Sequence, residues 1–286
     1  MLPDNKVLKI YDVNHIALLE ETELPQGDSI EKVTATNGVG IKVTLVINSS
    51  NDGDDDLILE SLSFDHKLYF NSLFSNVQAR LTYGNGYPAT EKQLSDFFNL
   101  WERRWKVGNP YSAFSIFRFN KETVSKDYVG NVVLGADNKI AGEAIFSIIL
   151  HPDYWRHHIG TRVSEAILGF YASSVLPIFD PKGLFTKGQP LCAIQATSWV
   201  DTPSTLNFDN PKAMRDILRN LDFAQASDVN NEKYKTPSGI EIIVPKYVFR
   251  KHITYQHDCR VELLTHNEAV VLLNDLEIHS SPGLKK

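Results

Sequence analysis

Alternating apolar and polar positions form the first recognisable pattern along this chain. GIKVTLVI, residues 40–47, and LILESLSF, residues 57–64, each predict a strand. The polar and acidic stretch between them, NSSNDGDDD from Asn48 to Asp56, predicts a solvated loop. This loop is expected to be a boundary between two parts of the chain.

The next region changes from helical to strand-like periodicity. Apolar residues recur at helical spacing in DHKLYFNSLF and in TEKQLSDFFNLWERRWKVG, so both are expected to be amphipathic helices. Three strand candidates follow, and the turn ADNK between the last two predicts a hairpin. The three are YSAFSIFRF at 111–119, DYVGNVVLG at 127–135 and KIAGEAIFSIIL at 139–150. The third is long and mostly apolar, which favours a central place in the sheet.

The second half alternates helices with strands. A helix is expected to start near Gly160, because Ile159, Val163, Ile167 and Phe170 share one helical face. Beyond it the pattern predicts a loop, a buried strand, a helix, a late strand and a further helix. In that order they are LFTKGQ at 184–189, PLCAIQATSWV at 190–200, PKAMRDILRNL at 211–221, GIEIIVPKYVFRKHI at 239–253 and NEAVVLLNDL at 267–276. The whole order predicts a mixed α/β fold around a partly antiparallel sheet.

Composition narrows the function classes. The 286 residues are 42% hydrophobic, which is enough for a sizeable core, and 35 acidic against 29 basic residues give a net charge of −6. This charge argues against a nucleic-acid partner. Cys192 and Cys259 have no CxxC spacing, so neither a disulfide framework nor a thiolate zinc site is expected. The N-terminal stretch carries acids through its apolar part, so we expect no signal peptide or membrane span and a cytoplasmic location.

The segment HPDYWRHHIGT, residues 151–161, carries the strongest chemical signal. A strand end, a short loop and a helix start direct unpaired backbone N–H groups and the positive end of a helix dipole to one place. Arg156 and His157 add positive charge or donors, and Thr161 adds a hydroxyl, so a pyrophosphate is the expected guest. A metal site is the weaker alternative, because the neighbouring His157 and His158 point apart and lack a carboxylate at ligand spacing. A plain surface loop with exposed histidines is the third.

The residues WRHHIG, Trp155 to Gly160, resemble the acetyl-CoA pyrophosphate loop of the GNAT superfamily of N-acetyltransferases, whose pattern is Gln/Arg-x-x-Gly-x-Gly/Ala after a central strand. Gly160 matches the last place, whereas Trp155 and His158 stand where Gln or Arg and then Gly are usual. The context resembles the branch of ribosomal-protein N-terminal and spermidine-type acetyltransferases. In that branch a strand like GEAIFSIIL precedes a segment like HPDYW, and a later helix is similar to NPKAMRDILRNLDF.

The resemblance covers Leu57 to Ile253 and implies three parts in the chain. They are an N-terminal extension over 1–56, a GNAT-like acetyltransferase domain over 57–253 and a C-terminal tail over 254–286. The implied fold is α/β, with a GNAT-like mixed, mostly antiparallel central sheet flanked by helices, and the N-terminal extension is expected to be β-rich. The connection over 179–190 is longer than this fold requires.

The resemblance also implies direct attack of an amine on the acetyl thioester. The implied oxyanion donor is a backbone N–H of the central strand around Ile149 to His151. Strand alternation puts Glu143 and His151 on one face, so Glu143 is the first candidate base and His151 the second. Glu143 is alternatively a solvated charge at the sheet rim, and His151 alternatively only ends the strand. Ser198 either positions the amine or is a satisfied strand-end hydroxyl.

The residues expected to bind acetyl-CoA belong to the strand end, the loop or the later helix. They are Ile149, Leu150, His151, Arg156, His157, His158, Ile159, Gly160, Thr161 and Asn210. Asn210 is alternatively a helix N-cap. The resembling superfamily often has Tyr or Ser early in the later helix to protonate the thiolate, and no hydroxyl stands there in this sequence. Either a water or Tyr171 is the acid, or the thiolate leaves unprotonated, or catalysis is lost. No metal is expected.

The predicted function is transfer of an acetyl group from acetyl-CoA to a primary amine, either a protein or peptide N-terminus or a small molecule. The alternative is a GNAT-fold protein that binds CoA or a partner chain without turnover, because Trp155, His158 and Met214 depart from the superfamily's pattern. A monomer or homodimer is expected, with neither a nucleic-acid nor a membrane partner.

Overall fold

The computed structural model describes residues 40–49, 55–200 and 209–253. Within these ranges it leaves out residues 82, 122, 138 and 237 and the side chains of 178, 209, 210, 227 and 228. It also describes the backbone of five outlying strands, at 7–11, 16–19, 22–23, 29–35 and 260–264. The helix expected at 267–276 and the middle of the Asn48–Asp56 loop lie outside the described residues.

Thirteen strands are described, and they form two sheets. They are β1 (Val7–Tyr11), β2 (Ile16–Leu19), β3 (Thr22–Glu23), β4 (Ser29–Ala35), β5 (Val43–Asn48), β6 (Asp56–Ser61), β7 (Ala113–Asn120), β8 (Ser125–Ala136), β9 (Glu143–Leu150), β10 (Ala193–Trp199), β11 (Ala224–Lys235), β12 (Glu241–His252) and β13 (Arg260–Leu264). The large sheet has the order β11-β12-β10-β9-β8-β7-β6-β5-β4-β3. The small sheet has the order β13-β1-β2.

The large sheet is antiparallel at every pairing except the one between β9 and β10, which is parallel. The hairpin of β8 and β9 is the one that the ADNK turn predicts, and β9 lies near the middle of the sheet. The connection from β9 to β10 crosses over through helices, as parallel neighbours require. The predicted fold, a mixed and mostly antiparallel sheet flanked by helices, is confirmed.

Six α-helices flank the sheet. They are α1 (Lys67–Ser75), α2 (Val77–Arg80), α3 (Glu91–Lys106), α4 (Ile159–Ser164), α5 (Leu176–Phe179) and α6 (Asp209–Asn220). A π-helical stretch over Glu165–Val175 joins α4 to α5, so the chain stays helical from the predicted start near Gly160 to residue 179. No helix among the described residues is long and apolar enough to cross a membrane.

One core continues across the predicted boundary at residue 56. Val43, Leu45 and Ile47 of β5 are fully buried, and they belong to the same apolar cluster as β7, β8 and the helices. β5 pairs with β6, which begins at Asp56. The division at 56 therefore separates two hydrogen-bonded strands of one sheet, and the N-terminal extension over 1–56 stays a prediction.

Candidate active site

The two parallel strands β9 and β10 separate at one end and open a gap in the sheet. Their register runs from Glu143 opposite Ala193 to Phe146 opposite Ala196, and it stops there although β9 continues to Leu150 and β10 to Trp199. A cleft of about 980 Å³ occupies the gap, and both strand ends line it. Backbone groups that a continuous sheet would pair therefore face a cavity.

Side-chain alternation divides the cleft into two faces. On one face the Ser147 hydroxyl lies 3.0 Å from the Tyr83 hydroxyl, in the loop after α2. We call this the Tyr83 face. On the other face, a side-chain carbon on Gly160 would lie 3.7 Å from Leu150 Cδ1 and 3.5 Å from Ile217 Cδ1, so Leu150 points toward α4 and α6. We call this the α4–α6 face.

The hydrogen bonding of β9 shows which backbone N–H groups point into the gap. The His151 N–H donates to the Val129 carbonyl of β8 at 2.8 Å, so His151 and Val129 form a hydrogen-bonded antiparallel pair. Because such pairs alternate along the ladder, the Ile149 N–H also points toward β8, whereas the Ile148 and Leu150 N–H groups point toward β10 and the gap. The oxyanion donor was expected between Ile149 and His151, and in this range only the Leu150 N–H points into the gap. The Ile148 N–H also points into the gap, but it lies outside the expected range.

Trp155 has a structural role that the loop pattern does not predict. Its indole Nε1 donates to the Leu150 carbonyl at 3.0 Å, so it satisfies the last acceptor of β9 at the mouth of the cleft. Gln or Arg, the usual residues at this place in the resembling pattern, also carry side-chain donors. Trp155 therefore differs from the Gln or Arg of the resembling pattern but still provides a hydrogen-bond donor at the strand end.

The loop after β9 contains two residues with a left-handed backbone. Arg156 and His158 adopt positive φ angles of 67° and 55°, a region that favours glycine. His158 thereby has a left-handed conformation, which glycine adopts most readily. Successive N–H groups in such turns converge on one point, and α4 begins immediately afterwards at Ile159.

The structure brings most of the predicted loop residues to the cleft. Those that line it are Arg156, His158, Ile159, Gly160 and Thr161. His157 is exposed and is not part of this lining. Asn210 is the second residue of α6, but its side chain lies outside the described residues.

The other predicted catalytic residues are held by neighbouring groups. Ser198 lines the cleft, but its hydroxyl donates to the Pro211 carbonyl at 3.1 Å, as the structural alternative predicts. The His151 ring is outside the described lining, and its Nδ1 lies 3.4 Å from a carboxylate oxygen of Asp153. Tyr171 lies in the core, where burial raises its pKa well above the usual range and its hydroxyl donates to a backbone carbonyl. It does not reach the cleft.

Glu143 is buried at the closed end of β9. Only 1% of the residue is exposed, and its carboxylate forms an ion pair with Arg250 of β12. It lies on the paired part of the strand, before the gap, and it is not part of the described cleft lining. The alternative of a solvated rim charge does not fit this burial.

Glu143→Gln separates a catalytic from a structural role. A general base predicts about 100-fold slower turnover near neutral pH, with a loss that shrinks as pH rises. We expect instead an unchanged rate with saturating substrates and a loss of roughly 1–2 kcal/mol in the free energy of unfolding, because the buried Glu143 carboxylate loses its ion pair with the half-exposed Arg250. Denaturant unfolding and a pH–rate profile measure the two effects. Arg250→Gln is the matched variant, and a rate loss confined to Glu143→Gln would restore Glu143 as the base.

Three cleft residues have no signal in the sequence pattern. Tyr83, Trp199 and Lys246 line the Tyr83 face from three different elements. Burial raises the pKa of Tyr83, so its hydroxyl stays protonated at neutral pH, and either this hydroxyl or that of Ser147 can donate in the hydrogen bond between them. Tyr83 meets Ser147 across 64 positions of sequence, a distance over which periodicity carries no information.

No group of three or more His, Cys, Asp or Glu side chains within the described parts of the chain is arranged to hold a metal ion. His157 and His158 are both exposed.

Several solved acetyltransferase structures are similar to this chain. A GNAT-family acetyltransferase from Bacillus anthracis shares 14% identity over 68% of this chain and 94% of its own, with a TM-score of 0.44. A mutant of the spermidine N-acetyltransferase SpeG from Vibrio cholerae shares 16% over 68% and 93%, with a TM-score of 0.45. An acetyl transferase from Salmonella typhimurium that modifies the N-terminal serine of a ribosomal subunit protein shares 15% over 69% and 95%, also with a TM-score of 0.45.

No protein-family profile matches the chain, and no curated protein sequence matches it. At 14–16% identity and TM-scores below 0.5, the structural similarity assigns neither an activity nor a substrate to this chain. Both have to be inferred from the geometry of the cleft.

Proposed function

We propose that this protein is an acetyltransferase that moves an acetyl group from acetyl-CoA to a primary amine. The observation that carries the proposal is the separation of β9 from β10 beyond Phe146 and Ala196. It opens a passage between the two faces of the sheet, so two substrates can approach the same backbone groups from opposite sides. The turn at Arg156 and His158 lies beside one of these faces.

The α4–α6 face suits acetyl-CoA. The turn at Arg156 and His158 and the first helical residues would hold the pyrophosphate, and Gly160 leaves space there because its nearest neighbours are in ordinary contact. The amide-rich arm would extend into the gap, where Ile148 and Leu150 present backbone N–H groups. Acetyl-CoA would supply a thioester whose C–S bond is replaced by a C–N bond, with one proton leaving the amine and one reaching the sulfur.

The chain's own groups at the gap are suited to the remaining tasks. The Ile148 N–H is the first one beyond the last β9–β10 pair and is adjacent to Ser147, so it would donate to the developing oxyanion. The amine would enter on the Tyr83 face, where the Tyr83 and Ser147 hydroxyls can orient it. Glu143 is not part of the described cleft lining, so the amine would lose its proton to solvent.

A second candidate function is binding of CoA without turnover. The α6 residues that line the cleft carry no hydroxyl or thiol among those described, and Met214 occupies the region where the resembling superfamily often has Tyr or Ser. Thiolate protonation would then depend on water. Release of free CoA thiol in the presence of an amine panel separates the two functions.

Thermal unfolding with acetyl-CoA tests the proposal. At a concentration about 100 times its dissociation constant, acetyl-CoA should add about 2.7 kcal/mol to the stability of the folded chain and raise the melting temperature by several degrees. A CoA fragment without the pyrophosphate is the control and should shift it much less. An unchanged melting temperature at millimolar acetyl-CoA, in protein shown to be folded, would contradict the proposed function.

The nature of the amine, the cytoplasmic location and the monomeric or dimeric state belong to this proposal as predictions. The acidic net charge is compatible with a cationic acceptor but does not select one. The charged groups on the Tyr83 face say more about the acceptor than the net charge of the chain does.

A further inference from the structure

A buried lysine lies on the Tyr83 face of the cleft. Lys246 of β12 is opposite Trp199 of β10 in the antiparallel register and is only 5% exposed, yet it lines the cleft. Its ammonium lies 2.9 Å from a carboxylate oxygen of Glu232 and 2.6 Å from the Tyr234 hydroxyl. An ammonium carries three donors, and no described group accepts the third.

A second buried cation lies next to the same face. Arg80, at the end of α2, is 5% exposed and donates to neutral acceptors, the Tyr87 carbonyl at 2.8 Å and the Asn85 side chain at 3.0 Å. Within the described parts of the chain no carboxylate forms an ion pair with it. A side-chain carbon on Gly84, which lines the cleft, would stand 3.1 Å from Arg80 Nη1. The guanidinium therefore lies directly behind the cleft wall.

These residues form one electrostatic unit, which we call the cationic cluster: Arg80, Glu232, Tyr234 and Lys246. Arg80 is close enough to Tyr234 to oppose the increase in the Tyr234 pKa that burial causes. The cluster holds two cations, each only 5% exposed, and one carboxylate, so one positive charge in the cluster remains uncompensated. Burial of an uncompensated charge is unfavourable, and a ligand anion relieves it.

The lining carboxylate of Asp216 does not provide this compensation. It belongs to α6, on the other face of the gap, and it lies 3.5 Å from Arg219 Nη1. The Tyr83 face therefore combines hydroxyl groups that can orient an amine with a positive charge that repels a second amine. A carboxylate on the acceptor would fit both features.

We propose that the acceptor is a primary amine that carries its own carboxylate, as an amino acid does, and that Lys246 binds this carboxylate. The proposal rests on the proposed function and specifies its substrate class. The third donor of the Lys246 ammonium makes a charge-assisted hydrogen bond to the carboxylate, and Arg80 adds positive potential from behind Gly84. Polyamines lack the anion and add positive charge, so they are disfavoured.

The experiment compares matched amines with the full-length chain and saturating acetyl-CoA. Alanine, alaninamide, a peptide that begins with aspartate, and spermidine are assayed by release of CoA thiol. We expect kcat/KM for alanine to exceed that for alaninamide by about tenfold or more, although the amide's amine is more easily deprotonated. Preference for alaninamide or spermidine would overturn the proposal. A preference for the peptide over alanine would place the bound carboxylate on a side chain and would overturn the amino-acid form.

Two substitutions in the cluster should act in opposite directions. Lys246→Met should remove the preference for alanine over alaninamide, mainly through KM, whereas Glu232→Gln frees the ammonium and should increase it. A merely structural ion pair predicts equal losses for both amines in both variants. Lys233→Met, an exposed lysine of β11 paired with Glu241 at 3.1 Å, is the matched control and should leave the preference unchanged.

Failure of the substrate assignment differs from failure of the proposed function. If no amine turns over, the preference is measured as binding instead: the melting temperature of the CoA-bound chain is compared between alanine and alaninamide, and alanine should raise it more. A shift by acetyl-CoA together with no preference for alanine contradicts only the carboxylate assignment. Absence of any shift by acetyl-CoA contradicts the function itself.

Discussion

Removing one backbone donor, the N–H of Ile148, should lower kcat by about 100-fold or more while leaving the fold intact. The substitution is an ester in place of the amide, made by incorporating the α-hydroxy analogue of isoleucine. The Ile148 N–H lies just beyond the last paired residues of β9 and β10 and is aimed at the gap, so its loss breaks no β9–β10 pair of the register. An oxyanion that develops there would lose its donor. Steady-state kinetics with saturating acetyl-CoA measure the effect.

The same ester at Ile149 is the matched control. The Ile149 N–H points toward β8, so its removal should cost a sheet hydrogen bond, about 1 kcal/mol of stability, and leave kcat nearly unchanged. The ester at Leu150 tests the second N–H that faces the gap, and we expect a smaller effect because Leu150 is farther from Ser147. A larger kcat loss at Ile149 than at Ile148 would refute this assignment of the oxyanion donor.

Gly160→Asp should raise the dissociation constant of acetyl-CoA by about 100-fold or more. The change puts a carboxylate in the first turn of α4, at the cleft, where the pyrophosphate is expected. Folding should be nearly unaffected, because the nearest atoms to a side-chain carbon there are at 3.5 and 3.7 Å and an acidic residue suits a helix N-terminus. Isothermal titration measures the binding, and thermal unfolding without ligand measures the stability.

Two control substitutions test whether the effect of Gly160→Asp comes from the added charge, from the added volume or from the position of the residue. Gly160→Ala adds the carbon without the charge and should bind acetyl-CoA with nearly the parent affinity. Gly169→Asp adds the charge on the same helical segment, at an exposed glycine with open space around it, and should also bind normally. Equal binding by Gly160→Asp and the parent chain would place the anion site elsewhere.

The strands and helices with strong periodicity were predictable from sequence. β9 is nearly continuous in apolar residues and lies near the middle of the sheet, and α3 carries an apolar stripe together with a capping box at Thr90 and Gln93. β11 was missed. Its sequence, AQASDVNNEKYK, is mostly polar because it is the edge strand of the sheet, and its backbone pairing with β12 defines it.

The loop after β9 shows how much of the candidate site a local sequence pattern can predict. A loop followed by a helix start near Gly160 is predicted by the order of residues around HPDYWRHHIG, and the structure has both. Anion binding by this loop stays a prediction. The positive φ of His158 was not predictable, because a histidine at a glycine position indicates either a lost turn or a strained one. The surrounding strand and helix decide this by fixing where the chain must enter and leave.

By itself, the sequence determined the order of the central elements, the long apolar strand β9 and the candidate anion turn that follows it. Each depends on residues within a few turns or a few alternations of one another, which is the range over which periodicity and capping act. The tertiary structure alone decided that β9 and β10 separate beyond Phe146, that Glu143 is buried against Arg250, and that Tyr83, Ser147 and Lys246 share one face. Those facts depend on pairing between segments up to 107 positions apart, for which a single sequence carries no local signal.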